Sequence, residues 1–303
     1  MKDSDCLVLG SNSGTLGRAL LAASGSATPA HLERFADGET HVSLEPWVRG
    51  RRVVLLQSLS GTVGERLLEL ALLADAARRG GAREAIAVIP YLGYARQERR
   101  EHDAEALGAK VVARLLDSCG FDRILCVDLH TPAIEGFFSC PVNNLTTVTL
   151  FIDALRPFTQ GAVLVAPDLG AAKLVRGYAR RLELPFAVVQ KTRLSAQKVE
   201  QGEVRGDVRG LRPIIIDDII STGATIAAAL DAVAAAGAKS EAVVVASHGL
   251  FAPGAAELLE SRSVRRVIVT DSVEPLADPS RLPIERVSLA PLVTEALLGL
   301  APS

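Results

Sequence analysis

Two adjacent carboxylates stand beside a run of small hydroxyl residues in the stretch RPIIIDDIISTGATI, residues 212–226. The three isoleucines at 214–216 are β-branched and continuous, which predicts a short buried strand, and a helix is predicted from Ile226 to Ala236. Asp217 and Asp218 follow the strand, although neighbouring carboxylates repel each other and resist burial. Carboxylates in this position are suited to accept hydrogen bonds from the vicinal hydroxyls of a sugar.

The turn after the acids is suited to bind a phosphate. Amide groups at the first turn of a helix have no intrahelical acceptor, and the helix dipole favours an anion there. Serine and threonine hydroxyls in the turn add further donors. Acids and turn together predict a sugar-phosphate site, and the alternative is a capped helix start with solvated acids. The residues of the turn are Ser221, Thr222, Gly223, Ala224 and Thr225.

Short apolar runs alternate with amphipathic segments along the chain, for example VVLLQ at 53–57 followed by ERLLELALLADAARR at 65–79. Such alternation predicts an α/β fold with a mainly parallel sheet. Because ligands of such sheets bind beyond the carboxyl ends of the strands, the acids and the turn are expected at a ligand-binding edge.

An internal repeat relates residues 51–91 to residues 212–249. Each copy has a basic start, an apolar strand, a turn with Ser, Gly and Thr, a helix ending in Gly-Ala, and a second strand. The first copy has Gln57 and Ser58 at the position of the two acids. We therefore expect the sugar-phosphate site only in the second copy.

The repeat predicts two tandem domains, the first over residues 1–148 and the second, with the sugar-phosphate turn, over residues 149–303. The last apolar segment, APLVTEALLGL at 290–300, has an alternative place against the first domain. A chain of 303 residues with 49% apolar residues is long enough to form two cores.

Composition argues against several classes of protein. A net charge of −2 and an aromatic content of 4% are not typical of a nucleic-acid-binding surface. The apolar runs are shorter than the roughly 18 residues of a membrane span, and the start MKDSDCLVLG is not a secretory signal. Four cysteines without a C-x-x-C pair favour reduced thiols. We expect a cytoplasmic protein that binds neither nucleic acid nor a membrane.

Four other segments combine charged residues with glycine, proline or aromatic residues: RFADGET at 34–40, YLGYARQERR at 91–100, CVDLHTPAIEGFFSCPVNNL at 126–145 and VAPDLGAAKLV at 165–175. A fifth segment, VQKTRLS at 189–195, has two cations. Together with IIIDDIISTGAT they resemble, in the same order, the motifs of the ribose-phosphate pyrophosphokinase family. The last stretch alone resembles the phosphoribosyl-pyrophosphate loop of type I phosphoribosyltransferases. The resemblance implies an α/β fold of two tandem type I phosphoribosyltransferase-like domains, each a mainly parallel sheet flanked by helices.

The activity that the resemblance implies is that of a ribose-phosphate diphosphokinase. Such an enzyme transfers the β,γ-diphosphoryl group of Mg-ATP to the 1-hydroxyl of ribose 5-phosphate and releases phosphoribosyl pyrophosphate and AMP. Mg²⁺ is the implied cofactor. Two alternatives are a phosphoribosyltransferase that consumes phosphoribosyl pyrophosphate, and a non-catalytic regulatory subunit of such a synthetase. The doubled unit argues against the first, and Lys191 with Arg193 argues against the second.

The resemblance also implies roles for single residues. It assigns Asp217 and Asp218 to the ribose, the turn at 221–225 to the 5-phosphate, and Lys191 and Arg193 to catalysis. It assigns His130 and Asp168 to the metal. The residues implied in ATP binding are Phe35, Asp37, Glu39, Arg96, Gln97 and His130. Because the family places the loop of Phe35 at an adenine bound across a subunit interface, a homo-oligomer is implied.

Taken alone, these segments also have structural interpretations. FADGE is typical of a turn, GYARQ of a charged helix start, and the lysine–arginine segment of a solvated loop. His130 alone is typical of a structural histidine, and Asp168 of a turn residue. The chain departs from the family pattern at several positions, none of which removes an implied site residue: Gly64, Pro132, Glu135, Asn143, Ala171, Leu174 and Ala224.

Overall fold

The structure is a computed structural model that describes residues 5–24, 30–45, 48–192 and 201–300, with the side chains of residues 191, 192 and 201 outside the description. Strands and helices alternate, as the sequence predicts. The first half contains β1 (Asp5–Leu9), α1 (Gly14–Ser24), β2 (Ala30–Arg34), β3 (Thr40–Leu44), β4 (Arg52–Leu56), α2 (Val63–Arg79), β5 (Glu84–Ile89), α3 (Gly108–Ser118), β6 (Arg123–Val127) and β7 (Val142–Leu145). The second half contains α4 (Val148–Leu155), β8 (Ala162–Ala166), α5 (Ala172–Leu182), β9 (Phe186–Thr192), β10 (Gln201–Arg205), β11 (Arg212–Ile220), α6 (Ala224–Ala235), β12 (Ala242–Gly249), α7 (Ala255–Glu260), β13 (Val264–Thr270), β14 (Ile284–Val287) and α8 (Ala290–Gly299).

The chain forms two compact units. The first consists of Met1–Thr146, Asp271–Glu274 and Ser288–Ser303, and the second of Thr147–Thr270 and Pro275–Val287. The last helix, α8, thus belongs to the first unit, where it contacts α1 and β7. The predicted boundary at residue 148 remains a prediction.

The first unit has a parallel sheet in the order β1-β4-β5-β6-β7. Its core includes Val53 and Leu55 of the sheet and Leu70 of α2, all fully buried. The antiparallel hairpin β2–β3 packs on this core through partly buried apolar residues of one face. Full burial of an aliphatic side chain such as Leu70 stabilises the fold by about 1.5–3 kcal/mol.

The second unit has a sheet in the order β10-β9-β8-β11-β12-β13-β14, parallel except where β9 pairs with β10. Strand β11 lies inside this sheet and is covered on both faces. Ile215 packs on the face of α6 and α7, whereas Ile214 and Ile216 pack on the face of α4 and α5. Burial on both faces explains why this strand is continuously apolar.

The internal repeat is visible in the topology. The order β1-β4-β5-β6-β7 of the first unit recurs as β8-β11-β12-β13-β14 in the second. Strand β4 therefore corresponds to β11, and the ends of these strands carry Gln57 and Asp217 at equivalent places. Two parallel sheets with flanking helices confirm the predicted fold class.

The segment 271–274 is held to the first unit by polar contacts. The Asp271 carboxylate accepts hydrogen bonds from the Leu289 amide at 2.7 Å and from the Ser288 hydroxyl at 2.9 Å, just before α8 begins. Glu274 accepts from the amide and hydroxyl of Thr15, each at 2.8 Å, at the start of α1. A carboxylate at that end of a helix is favoured by the helix dipole.

A buried ion pair joins the first two strands of this sheet. Asp5 accepts from Arg52 Nε at 2.9 Å and from Arg52 Nη2 at 2.6 Å, and both side chains are at most 2% exposed. Within the described part of the chain, Arg52 Nη1 is buried without a hydrogen-bond partner. Neutralisation of the buried Arg52 guanidinium therefore depends on Asp5.

We predict that Asp5→Ala lowers the free energy of unfolding by about 3–5 kcal/mol, because it leaves a buried, unpaired guanidinium. The exposed pair of Arg79 and Asp75, at 2.7 Å, supplies the control: Arg79→Ala is expected to cost less than about 1 kcal/mol. Urea unfolding measures both. Replacing both partners, Asp5→Leu with Arg52→Met, should recover most of the loss. Equal losses for Asp5→Ala and Arg79→Ala would contradict the prediction.

Candidate active site

The two acids lie within the carboxyl half of β11. The sequence predicts a strand that ends at Ile216, but pairing with β12 continues through Asp217, Ile219 and Ile220. The carboxylates are therefore attached to a strand that is fixed by its ladder, and both are partly buried. A rigid strand holds acceptors in place for a ligand better than a free loop would.

The carboxyl groups of this strand interact strongly. Burial, the charge of Asp218 and a hydrogen bond with Asp218 raise the pKa of Asp217 to about 8. The charge of Asp168 contributes in the same direction, so the structure brings Asp168 near Asp217. Near neutral pH the carboxyl pair thus retains a proton in the free protein.

The turn after β11 exposes the start of α6. Gly223 precedes the helix with a φ of +77°, a left-handed conformation that glycine adopts without strain. A side chain there would also meet Leu259, whose Cγ lies 3.3 Å from the position of an added Cβ. The Thr222 hydroxyl accepts from the Ala224 amide at 3.4 Å. The next amides of the first turn of α6, those of Thr225 and Ile226, have no acceptor within the helix and are suited to bind an anion.

Asp168 follows β8, the strand next to β11. Its Oδ1 accepts from the Ala171 amide at 3.0 Å, just before α5 begins. Gly170 fits closely in this loop, since an added Cβ would lie 3.1 Å from the same oxygen. The aspartate thus orders the loop in which it lies, and its charge acts on Asp217 of the neighbouring strand.

The predicted catalytic residues Lys191 and Arg193 lie where the described part of the chain ends, at residue 192. The backbone of Lys191 lies in β9, which pairs antiparallel with β10 so that Lys191 is opposite Gly202. A solvated loop is the structural alternative for this segment, but the structure has a strand up to Thr192. Arg193 lies outside the described residues, as does the side chain of Lys191.

His130 lies in the first unit, after β6. Asp128, between the strand and the histidine, has a φ of +39°, and such strained non-glycine backbone is frequent at functional sites. The chain is fixed there by hydrogen bonds from the Asp128 amide to the Leu145 carbonyl, at 2.9 Å, and from the Leu129 amide to Asn144 Oδ1, at 3.0 Å. His130 itself is exposed.

Arg96 and Gln97 lie in a turn after β5, not at the start of a helix. The Gln97 amide donates to the Tyr94 carbonyl at 2.9 Å, and the Ala109 amide donates to the Gln97 carbonyl at 3.2 Å. These bonds connect the turn to the beginning of α3. The Arg96 side chain is exposed and accessible to an anionic ligand.

Phe35, Asp37 and Glu39 occupy the turn between β2 and β3. The Phe35 amide donates to the Glu39 carbonyl at 2.8 Å, and the Gly38 amide donates to the Phe35 carbonyl at 2.9 Å. Asp37 Oδ1 accepts from the Glu39 amide at 3.1 Å. The turn is thus closed by its own hydrogen bonds, while the Phe35 ring is 45% exposed.

The first unit has a different arrangement at the place equivalent to the acids. Gln57 is fully buried, and its amide nitrogen donates to Glu69 of α2 at 2.9 Å. Glu69 also accepts hydrogen bonds from the Ser11 amide, at 2.7 Å, and from the Ser11 hydroxyl. Arg66 donates to the same hydroxyl. A carboxylate of the protein itself therefore occupies this end of the sheet.

The amino-acid sequence matches known families over most of its length. Residues 6–120 match the family model of the N-terminal domain of ribose phosphate pyrophosphokinase, and residues 154–279 match that of the phosphoribosyl transferase domain. The ribose-phosphate pyrophosphokinase of Aquifex aeolicus (strain VF5) is 37% identical over 272 residues, which are 89% of this chain and 87% of that protein. The chain belongs to the ribose-phosphate pyrophosphokinase family.

Other relatives agree with this assignment. The ribose-phosphate pyrophosphokinase of Maricaulis maris (strain MCS10) is 39% identical over 277 residues, covering 90% of this chain and 89% of that protein. Phosphoribosylpyrophosphate synthetase from Mycobacterium smegmatis, a crystal structure, is similar with a TM-score of 0.91 at 32% identity, over 98% of this chain and 99% of that one. The family resemblance seen in the sequence motifs is confirmed.

Within the described ranges, no group of three or more His, Cys, Asp or Glu side chains is placed to hold a metal ion. Mg²⁺ is commonly bound by one or two carboxylates, with phosphate oxygens and water completing its six ligands. Asp168 supplies a carboxylate of that kind, so the donor set fits a metal that arrives with a nucleotide. Among the described helices, none has the length and apolarity to cross a membrane.

The structure gives a place to two residues that had no assigned role. Asn144, within the segment 126–145, accepts a hydrogen bond from the Leu129 amide next to His130, and Glu69, which lies outside the motifs, accepts one from Gln57. The position of Glu69 on α2 gives no signal in the sequence, because an acid on an amphipathic helix usually faces solvent.

We predict that Asp217→Asn stabilises the metal-free and substrate-free enzyme at pH 9 and has little effect near pH 4. The folded pKa of about 8 lies above the roughly 3.9 of an unfolded aspartate, so the folded state holds an extra proton between these values. Wild-type stability is therefore lost as pH rises through this interval, whereas the amide does not ionise. Urea midpoints from pH 4 to pH 9 measure the difference.

The exposed Asp153, substituted by Asn on α4, serves as the matched control and should change stability by less than about 0.5 kcal/mol at every pH. A gain from Asp217→Asn that is the same at pH 4 and pH 9 would show that ionisation is not its cause.

Proposed function

We propose that this enzyme transfers the β,γ-diphosphoryl group of ATP to the 1-hydroxyl of ribose 5-phosphate, giving phosphoribosyl pyrophosphate and AMP. The observation that carries the proposal is the pair Asp217 and Asp218 on β11, next to the strand that Asp168 follows and just before the start of α6, in a chain of the ribose-phosphate pyrophosphokinase family. Acids and unpaired amides at the same strand ends suit a molecule that has both sugar hydroxyls and a phosphate. A cytoplasmic location is part of the proposal.

In this proposal the ribose lies against Asp217 and Asp218. The pair retains a proton near neutral pH, so it offers both acceptors and a donor to the vicinal hydroxyls. A ribose hydroxyl that donates to Asp218 replaces a hydrogen bond from water that is lost when the sugar binds. The acids thus orient the sugar so that its 1-hydroxyl is held for reaction.

The 5-phosphate is assigned to the turn over residues 221–225. Its amides point out of the first turn of α6, and its hydroxyls belong to Ser221, Thr222 and Thr225. Gly223 allows the backbone to approach closely, and Ala224 is small enough to keep that approach. Amide and hydroxyl donors together neutralise a phosphate without a buried cation.

ATP is assigned to residues of the first unit. Phe35, with Asp37 and Glu39, is proposed to bind the adenine, since an aromatic face beside acceptors suits a ring with an exocyclic amine. Arg96 and Gln97 are proposed to bind the nucleotide, and the exposed guanidinium suits phosphate oxygens.

Mg²⁺ is the proposed cofactor, with Asp168 and His130 as the residues that would hold it or its nucleotide. When bound, this ion neutralises phosphate charge and orients the phosphate oxygens. The oxygen donor of Asp168 is a typical magnesium ligand, whereas the imidazole of His130 is better suited to a phosphate oxygen. His130 follows Asp128, whose positive φ lies just after β6 and marks strained backbone of a kind that is frequent at functional sites.

The reaction is an in-line displacement at the β-phosphorus. The 1-hydroxyl oxygen forms the new bond, and the bond to the α-phosphate oxygen breaks, so that AMP leaves. Lys191 and Arg193 are proposed to stabilise the charge that develops on the transferring group. Little covalent chemistry is asked of the protein, because positioning and charge stabilisation supply most of the catalysis.

We predict that the purified chain, given ATP, Mg²⁺ and ribose 5-phosphate, forms AMP and phosphoribosyl pyrophosphate in equal amounts, as followed by mass spectrometry. Lys191→Ala should lower kcat by about 10²–10³-fold, because a cation over the transferring group is lost. Lys239→Ala, an exposed lysine of the same unit, is the control and should retain full activity.

Absence of AMP with every nucleotide tested would refute the proposed reaction. Phosphoribosyl pyrophosphate consumption in the presence of a base would instead identify a phosphoribosyltransferase. Activity that appears only with a second synthetase chain would identify a regulatory subunit.

We further propose a homo-oligomer in which the adenine site is shared between subunits. Phe35→Ala chains and Lys191→Ala chains, each with low activity at limiting ATP, should regain about one quarter of wild-type activity when randomly co-assembled. Rates of the separate and mixed proteins measure this, and light scattering gives the oligomer mass. No gain in hybrids that light scattering and tagged-subunit capture prove to be mixed would place Phe35 and Lys191 in sites of one subunit.

A further inference from the structure

The hairpin β2–β3 has two faces of different character. Leu32, Val42 and Leu44 on one face pack against the core of the first unit. The opposite face is exposed and polar, and His41 lies there, opposite Glu33 in the ladder. The apolar face thus fixes the backbone of the hairpin and leaves the other face available for contacts of its own.

The exposed face carries a contact between two rings. The imidazole of His41 and the ring of Phe35 have their centroids 5.8 Å apart and their planes at 32°. Aromatic groups attract each other at such separations in offset arrangements. Since the Phe35 ring is still 45% exposed, His41 covers only part of it and leaves surface for another ring.

We propose that His41 is a positioning residue for the nucleotide: its imidazole supports the Phe35 ring so that the remaining ring surface is ready for adenine. The inference rests on the proposed function, which assigns the adenine to Phe35. An exposed phenylalanine samples several rotamers, and ordering it on binding weakens affinity. A neighbouring ring that restricts Phe35 beforehand reduces that loss.

The role is one of ring contact and does not require charge. The Phe35 amide donates to the Glu39 carbonyl, and the Gly38 amide donates to the Phe35 carbonyl. These hydrogen bonds fix the backbone of Phe35 but not its ring. His41 is the ring neighbour described for it. An aromatic residue in place of His41 is therefore expected to support Phe35, whereas a flexible residue is not.

The experiment compares KM for ATP, KM for ribose 5-phosphate and kcat in four variants. His41→Ala and His41→Gln should raise KM for ATP about 2- to 10-fold, with kcat and KM for ribose 5-phosphate unchanged. His41→Phe should restore the wild-type value. The control is His31→Ala, because His31 is exposed on the same hairpin and contacts Glu45 at 3.7 Å; no change is expected.

A double-mutant cycle with Phe35→Ala separates this inference from the proposed function. In a Phe35→Ala background, His41→Ala should have no further effect on KM for ATP. If Phe35→Ala raises KM for ATP but His41→Ala does not, or if His41→Phe fails to restore it, the inference is overturned and the assignment of Phe35 stands. If Phe35→Ala itself leaves KM for ATP unchanged, the assignment of Phe35 fails and His41 loses its role with it.

Discussion

The position of two neighbouring carboxylates at the end of a buried strand constrains much of the second unit. Asp217 and Asp218 repel each other, lose hydration and face a third acid, Asp168, so their place on β11 opposes folding. The surrounding sheet offsets this cost. Ile214, Ile215 and Ile216 bury their side chains on both faces of the sheet immediately before the acids. Strong packing next to a repulsive group is the usual way in which a fold tolerates an active site.

The two units share one strand order but carry different side chains at the equivalent place on β4 and β11. In the second unit β11 carries two acids, and burial and the charge of Asp218 raise the pKa of Asp217, while the start of α6 follows a few residues later. In the first unit Glu69 accepts hydrogen bonds from Gln57 and from Ser11, and Gln57 and Glu69 are both buried. The end of β4 is thus filled by side chains of the protein itself, whereas β11 carries acids that suit a ligand.

The sequence predicts the fold class and the repeat because both depend on apolar periodicity, which the two units share. It predicts the family because several motifs occur in order. It fails where pairing with a distant strand decides the outcome: β11 continues past Ile216 to Ile220 because β12 pairs with it there. The meeting of Asp168 and Asp217, more than forty residues apart, follows from the adjacency of β8 and β11, which no local pattern encodes. The roles of the single site residues remain predictions.

The hydrogen bonds around Glu69 in the first unit also affect how the two copies diverge after duplication. Around Glu69, a substitution meets neighbours that were matched to one another, so selection at that end acts on packing and hydrogen bonding within the chain. If Asp218 binds the ribose, as proposed, a substitution there also changes the contact with a molecule from solution, so selection acts on the binding of that molecule. The two copies of the unit are therefore under different kinds of selection. Equivalent positions in the two halves have no reason to tolerate the same amino acids.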